Sequence, residues 1–533
     1  MREHSTTPPG PTPRWTAALL CAAALLTGCG VNPVTGKQEL QFVSEAAELQ
    51  IGAQQYAPSR QSQGGDLRLF PGVEAYVAEV GQKLAAVSDR ALPYEFGVLN
   101  SSVPNAWALP GGKIAVNRGL LTALDSEAEL AAVLGHEIVH SAARHGAKAQ
   151  ERGILLQTGV LAAQIGVLLG DGNEDLGNLM VLGAGVGAQM ISMKYGRDAE
   201  LESDLYGMRY MQRAGYDPRA AISLQEKFVA LSKQQDARGQ SWLEGLFASH
   251  PPSEERVARN RAAAASLQAG GLVGAERYQQ VMAPLRAARP AYEKADEAAA
   301  AAGRKDYARA RSLAVEATRL LPQEGRFHQL QGDIALAGKQ PREALPHYDK
   351  AIALDPGYFG GYLGGGLAAY RVGDRTRARQ WLSRSAELLP TAPALYHLGV
   401  MARESGDRDQ ALKYFQAAAD SSSEFGRQAA AEVVRDELPR NPSRYIAGAA
   451  QRNARGMLVA VVENRAPVGV RDVVFTPLLL GDSGEILEQG RSIRLSRTLA
   501  PGERASIDAG VGSITPEALP RVRIRIDGAA VAP

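Results

Sequence analysis

The sequence predicts a multidomain chain: a mainly helical α+β domain, then an α-helical solenoid, then a small C-terminal β-sandwich. Three observations carry that expectation. The chain has 533 residues, more than one hydrophobic core spans, so two to four domains are expected. Pro322, Pro356 and Pro390 recur every 34 residues and each closes an apolar helical run. Beyond residue 440 the apolar period falls from helical spacing to two, the signature of half-buried strands.

Composition narrows the chemistry. The net charge of +2 decides little about nucleic acid, but no basic cluster is interleaved with aromatics, so no nucleic-acid partner is expected. The only cysteines are Cys21 and Cys29, so the folded part has no disulfide framework and no cysteine ligand. A metal would therefore be held by histidine and carboxylate. His136, His140 and His145 crowd into ten residues.

Residues 1–28 are expected to be a lipoprotein signal peptide. Arg2 and Arg14 flank a polar start, and the apolar run Trp15–Leu26 is too short to span a bilayer. Leu26-Thr27-Gly28-Cys29 resembles the bacterial lipobox, which makes Cys29 the lipidation site; an ordinary signal sequence with an incidental cysteine is the alternative. Gly30 stands where Asp would retain a lipoprotein at the inner membrane. By that resemblance the protein is periplasmic and lipid-anchored at the outer membrane of a Gram-negative bacterium, tethered without a spanning helix.

The first folded domain is expected over 29–285. Val43–Ala57 and Val73–Val87 have apolar residues at helical spacing. Phe96–Leu99 reads as a strand, and Asn105–Asn117 as a strand pair broken at Pro110-Gly111-Gly112. Asn105, Ala106, Ile114 and Val116 are candidates for a strand that pairs with an extended peptide; a plain structural hairpin is the alternative.

An apolar helix beginning near Ser126 then carries His136-Glu137-Ile138-Val139-His140. Imidazoles four apart on a helix share a face and can reach one metal ion, while Glu137 is turned about 100° aside, where a base for water must stand. H-E-x-x-H is a zinc metalloprotease signature. His145 lies nine residues beyond His136 and, at about 100° per residue, is expected to face away from the metal. Tyr195–Gly207 reads as a second helix on which Glu200 and Asp204 share a face and Glu202 points away. One of those carboxylates can ligate zinc and the other can accept the ring N–H of a liganding histidine.

Four features in order now carry a family resemblance: the Asn105–Gly119 strand region, His136–His140, Glu200-x-x-x-Asp204, and Ser249-His250-Pro251-Pro252 followed by Arg256. Over roughly residues 31–260 the chain resembles the gluzincin metallopeptidases, which include the CAAX prenyl proteases, the heat-shock membrane protease and the periplasmic β-barrel-assembly-enhancing proteases. The resemblance implies a zincin-type catalytic domain with one zinc ion per chain, held by His136, His140 and Glu200. It implies Glu137 as general base and Asp204 behind the ligands. His250 either stabilises the oxyanion or closes over the zinc as a fourth ligand.

Gly153–Gly170 and Leu176–Met193 are apolar but interrupted by Gln157, Gln164, Asn178 and Gln189. They are expected to form a helical hairpin packed on the domain or touching the membrane surface rather than a true span.

Between 288 and 435 small residues recur at Ala310, Ala344, Ala378 and Ala411, preceded by Gly303, Gly338, Gly373 and Gly406. With the 34-residue proline period this is the tetratricopeptide pattern, about four helix pairs. Such an array offers a groove to a partner protein, or serves as a spacer; Arg375, Arg377 and Arg379 read as a solvated face. Residues 440–533 hold short strands, among them Leu458–Val462, Val470–Phe475, Leu478–Leu480, Ile493–Leu495, Ala505–Ile507 and Val522–Ile526, expected to form the sandwich and to act in docking.

The expected function is a zinc metalloendopeptidase that cleaves misfolded or stalled envelope proteins, its substrate being unfolded or extended polypeptide. Two alternatives stay open. One is a chaperone or scaffold for outer-membrane assembly whose zinc site is normally shut. The other is an integral-membrane prenyl-type protease.

Overall fold

The computed structural model describes residues 29–41, 43–149, 151, 195–238 and 249–532. The expected signal peptide and the apolar stretches 153–170 and 176–193 lie outside the described residues. Among the described residues no helix is long and apolar enough to cross a membrane. The chain divides into two units, residues 1–334 with 350–358 and residues 335–349 with 359–533.

In the first unit, β1 (Cys29–Val31) pairs antiparallel with β2 (Gln38–Leu40). Helix α1 (Glu45–Ser62) starts at Ser44, whose hydroxyl accepts the Ala47 N–H, and α2 (Pro71–Ala85) starts on a proline that needs no amide partner there. Strands β3 (Glu95–Leu99), β4 (Ala106–Leu109) and β5 (Lys113–Asn117) form a sheet in the order β3-β5-β4. Gly111 and Gly112, at φ 76° and 79°, make the turn between β4 and β5.

This order corrects one expectation. Strand β5 is bonded to β3 on one side and β4 on the other, so the backbone of Ile114 and Val116 is already used and cannot pair with a peptide. Among the described residues β4, which carries Ala106 and follows Asn105, is an edge strand of this sheet, as is β3 on the other side.

After α3 (Arg118–Ala123) comes α4 (Glu127–Ala142), the helix of the His-Glu-x-x-His motif, and every one of its residues is buried. Ser126 caps it by accepting the Glu129 N–H, and acidic Glu127 and Glu129 sit where the helix dipole favours them. Glu127 accepts the hydroxyls of Tyr76 and Tyr216, each at 2.8 Å. At the other end Arg144, at φ 62°, turns the chain and pairs with buried Glu48 of α1.

Helix α5 (Arg197–Arg213) packs across α4, with Gly207 against Gly135. Helices α6 (Ala220–Arg238), α7 (Glu254–Ala264) and α8 (Ala275–Ala287) complete the shell. One apolar cluster, including Val77, Leu120, Leu130, Ile138, Met208 and Tyr278, fills it. That cluster does not stop at the boundary expected near 285. Ala291 and Tyr292 of α9 (Arg289–Gly303), Ala317 of α10 (Tyr307–Leu320) and Phe327 of α11 (Gly325–Ala337) belong to it.

Beyond α12 (Pro341–Leu354), the second unit continues the helical repeat with α13 (Phe359–Val372), α14 (Arg375–Leu388), α15 (Ala392–Glu404), α16 (Arg408–Ala419) and α17 (Glu424–Glu437). The repeat has a local physical cause. Gly373 and Gly406 take φ 89° and 87° to end a helix, then Asp374 and Asp407 cap the next by accepting the amides of Arg377 and Gln410. The small residues Ala310, Ala344, Ala378 and Ala411 are all buried where helices meet.

The C-terminal strands are β6 (Ile446–Arg452), β7 (Met457–Asn464), β8 (Val470–Leu480), β9 (Ile486–Gln489), β10 (Ile493–Leu495), β11 (Arg504–Ser513) and β12 (Val522–Val531). They form two antiparallel sheets, β10-β8-β12 with β9 also on β8, and β11-β7-β6. Leu458, Val462, Phe475 and Ile524 share one core with Val434 and Leu438. The two short strands expected at 470–475 and 478–480 are one continuous strand.

Candidate metal centre

Three chain segments build the site. Helix α4 presents His136, Glu137 and His140, α5 presents Glu200 and Asp204, the segment leading into α7 brings His250, and the first turn of α7 brings Arg256. Close approach of α4 and α5 depends on the absence of two side chains. A Cβ on Gly207 would lie 3.1 Å from the His136 amide nitrogen, and one on Gly135 would lie 3.2 Å from the Gly207 carbonyl oxygen.

One ligand atom from each of His136, His140, Glu200 and His250 falls within 4.8 Å of the others, and all four residues are buried. His136 Nε2 and His140 Nε2 are 3.0 Å apart. Glu200 reaches both, Oε2 to His136 Nε2 at 3.5 Å and Oε1 to His140 Nε2 at 3.4 Å. His250 Nδ1 lies 3.0 Å from Glu200 Oε1 and 3.4 Å from His136 Nε2.

This donor set fits zinc. Nitrogen and oxygen ligands about 2.0–2.1 Å from a tetrahedral ion stand roughly 3.3 Å from one another, close to the spacings found. His136 Nδ1 lies 3.0 Å from Asp204 Oδ1 and supplies its proton there. Its Nε2 lone pair then faces a second imidazole nitrogen and a carboxylate, an arrangement that a cation relieves.

The electrostatics show the same demand. Burial alone would lower the His136 pKa, but Glu200 and Asp204 outweigh it and lift it to about 10. Burial, together with the charge this leaves on His136, holds His140 well below its ordinary value, so the two rings do not carry positive charge together. Glu200 resists the rise that burial imposes, because His250 and His136 hold it well below the usual carboxylate range.

Arg256 braces the acidic side. Its Nε and Nη2 donate to Asp204 at 2.8 and 2.7 Å, and its Nη1 lies 3.0 Å from Glu200 Oε2. Burial would raise the Asp204 carboxyl, yet Arg256 and His136 bring it down to about 2.

Glu137 stands apart from the ligand atoms. It is 2 % exposed, its Oε2 has no hydrogen-bond partner among the described residues, and its Oε1 lies 3.5 Å from His250 Nε2. Burial raises its pKa, the direction a general base needs to accept a proton near neutrality. A cavity of about 40 Å³ opens beside it, lined by Ala106, Val133, Leu224 and Phe228, room for a water or two rather than a peptide.

Similarity to known proteins decides the class. The description "Peptidase family M48" matches residues 71–264, and "Tetratricopeptide repeat" matches 392–425. The mitochondrial metalloendopeptidase OMA1 of Schizosaccharomyces pombe is 32% identical over 262 residues, covering 46% of this chain and 72% of that protein. The chain belongs to peptidase family M48. It is a zinc-dependent metallopeptidase joined to tetratricopeptide repeats.

Among other M48 relatives, the beta-barrel assembly-enhancing protease of Escherichia coli O157:H7 is 28% identical over 248 residues, 45% of this chain and 49% of that protein. The OMA1 of Arabidopsis thaliana is 34% identical over 165 residues, 31% of this chain and 30% of that protein. The chain thus spans half or less of the length of these two relatives.

The M48 site contains residues that sequence reading passed over. Tyr195 stacks on His140, with ring centroids 4.0 Å apart; an aromatic at a helix start carries no motif. His145, expected to face away from the metal, does lie outside the ligand cluster, but α4 ends at Ala142 and Arg144 turns the chain, so it comes beside His140, where extrapolation at about 100° per residue does not place it. The His145 ring packs 4.9 Å from that of His140. Glu202 does point away from the ligand cluster, and what it reaches instead is His145. Cys29 opens β1.

Proposed function

We propose that this M48 peptidase is an endopeptidase of the bacterial envelope that hydrolyses misfolded or stalled envelope proteins. The observation that carries the chemistry is the juxtaposition of the buried His136–His140–Glu200 set with the unpartnered oxygen of Glu137. His136, His140 and Glu200 would hold the ion. Zinc bound there would act as a Lewis acid toward the scissile carbonyl and lower the pKa of water. Glu137 takes the proton of the attacking water and later passes it to the leaving amine. Asp204 keeps His136 in the tautomer with the proton on Nδ1, and Arg256 keeps Asp204 ionised. The edge of β4 at Asn105 and Ala106 aligns an extended substrate backbone by strand addition.

Recruitment is assigned to the tetratricopeptide array, and docking to the C-terminal region, read as a β-sandwich. The envelope location rests on the lipobox at Cys29 and on similarity to proteins named beta-barrel assembly-enhancing proteases. The division into 29–285, 288–435 and 440–533 stays a reading of sequence periods.

His250 favours a second reading, a chaperone or scaffold with a shut site. It belongs to the four-residue group that could hold the ion, its Nδ1 3.0 Å from Glu200 Oε1, and as a fourth ligand it would take the place that water or substrate needs. Casein cleavage by wild type, Glu137→Gln and His250→Ala, each with and without chelator, separates the two. A protease gives chelator-sensitive cleavage that Glu137→Gln abolishes. If no variant cleaves while all bind partners, the scaffold reading replaces it.

A further inference from the structure

Two liganding histidines need two tautomers fixed, and the two are held differently. His136 gives its Nδ1 proton directly to a carboxylate, Asp204 Oδ1 at 3.0 Å. Among the described residues His140 has no carboxylate at its Nδ1. It has His145, Nδ1 to Nδ1 at 3.0 Å, and the far nitrogen of that ring, Nε2, lies 3.2 Å from Glu202 Oε1.

Proton placement along this chain of three groups follows from what His140 must do. Its Nε2 faces His136 Nε2 and Glu200 Oε1, so a proton there would point into the ligand cluster. The proton therefore sits on Nδ1 and donates to His145 Nδ1. His145 must then be the other tautomer, with its proton on Nε2 donating to Glu202. Every nitrogen and every proton has one use, and the opposite order would block His140 as a ligand.

The surroundings keep these rings in place. His145 is 5 % exposed, Ser203 Oγ flanks its Nδ1 at 3.4 Å, and Tyr195 stacks on His140. The left-handed turn at Arg144 brings His145 back over the helix end. Helix α5 thereby supplies three carboxylates at alternate positions: Glu200 in the ligand cluster, Asp204 to His136, and Glu202 to His145.

We propose that His145 and Glu202 form a hydrogen-bonded relay that fixes the tautomer and orientation of His140, with His145 a positioning residue and not a metal ligand. The inference rests on His140 being a ligand, so the experiment includes that residue separately.

Zinc affinity of the full chain is measured by competition with a chromophoric chelator for wild type, His140→Ala, His145→Phe, His145→Asn and Glu202→Ala. Cobalt-loaded protein gives a second readout, the solvent exchange of the paramagnetically shifted imidazole N–H proton of His140. His145→Phe is expected to weaken zinc binding about 10–100-fold, the usual cost of losing such an outer partner, and to expose that proton to exchange. His145→Asn, whose amide oxygen can accept and whose amide N–H can donate, recovers most of the affinity. Glu202→Ala falls between. Equal affinity and equal exchange in wild type, His145→Phe and Glu202→Ala overturn the relay. Should His145→Phe fail to fold, Glu202→Ala, at the edge of the cluster, decides alone. Wild-type affinity in His140→Ala would instead overturn the ligand assignment, a distinct result.

Discussion

Gly135 and Gly207 face each other backbone to backbone where the two ligand-bearing helices cross. Neither position has room for a methyl group without displacement, since the added carbon would stand 3.2 and 3.1 Å from main-chain atoms of the other helix. The distance between the imidazole pair and Glu200 is thus set by two missing side chains. Gly207→Ala should push the helices apart by a few tenths of an ångström while leaving the helices themselves intact. Activity is expected to fall on the order of tenfold, since sub-ångström misplacement of reacting groups is costly. Equal helical circular dichroism with weaker zinc retention on dialysis checks it.

Glu137→Gln keeps the shape of the side chain and removes its ability to take a proton. Turnover should drop by roughly 10²–10⁴-fold with zinc content unchanged. Because burial raises the Glu137 pKa, and the base must be ionised to act, the acid limb of kcat/KM in wild type should lie above the ordinary carboxylate range. Activity is lost as pH falls through that raised value. A pH–rate profile with its acid limb near pH 4 would contradict this.

Asp204 makes acid stability of the metal-free protein measurable. Its carboxyl titrates at about 2 when folded against 3.8 as a reference. The stability this gives is complete above about pH 4 and disappears as pH falls toward 2, about 2 kcal/mol in all. Denaturant titrations of the apo-protein across that window, compared with Asp204→Asn, would reveal it.

Arg256→Met leaves Asp204 and Glu200 without their shared cation. Breaking a buried pair from one side costs about 3–5 kcal/mol, so a large fall in melting temperature is expected in the apo-protein. Added zinc should restore part of it, because a ligand bound only by the folded state stabilises by about 2.7 kcal/mol at a hundred times its Kd.

In the second unit, Gly365 of α13 packs under the Trp381 ring, where a Cβ would stand 2.5 Å away. Gly365→Ala should destabilise that unit by about 1–3 kcal/mol through overpacking. Zinc content and peptidase activity should stay at wild-type levels, read by metal analysis and casein cleavage beside the melting curve.

The motif helix was legible because its periodicity, its Ser126 cap and its histidine spacing are all local facts. The second ligand helix was legible for the same reason. Local information ends where the chain turns: Arg144 at φ 62° put His145 beside His140, which a helix projection forbids. Strand order is also non-local. Alternation shows that residues 113–117 form a strand but not that it is bonded on both sides, so Ile114 and Val116 read as candidates to pair with substrate although they lie in the central strand and Ala106 lies in an edge strand. Strands β6 and β9 escaped because Ala-Gly-Ala-Ala and a fully exposed Ile-Leu-Glu-Gln carry little alternation. The boundary near 285 failed as a packing boundary because Tyr292 and Phe327 are large apolar residues that join the preceding core.

The residues of the buried cluster come from positions 136–140, 200–204 and 250–256. During synthesis the three groups emerge one after another, and neither α4 nor α5 alone can hold the geometry. Hydrolytic competence therefore arrives late, when the domain is nearly all present.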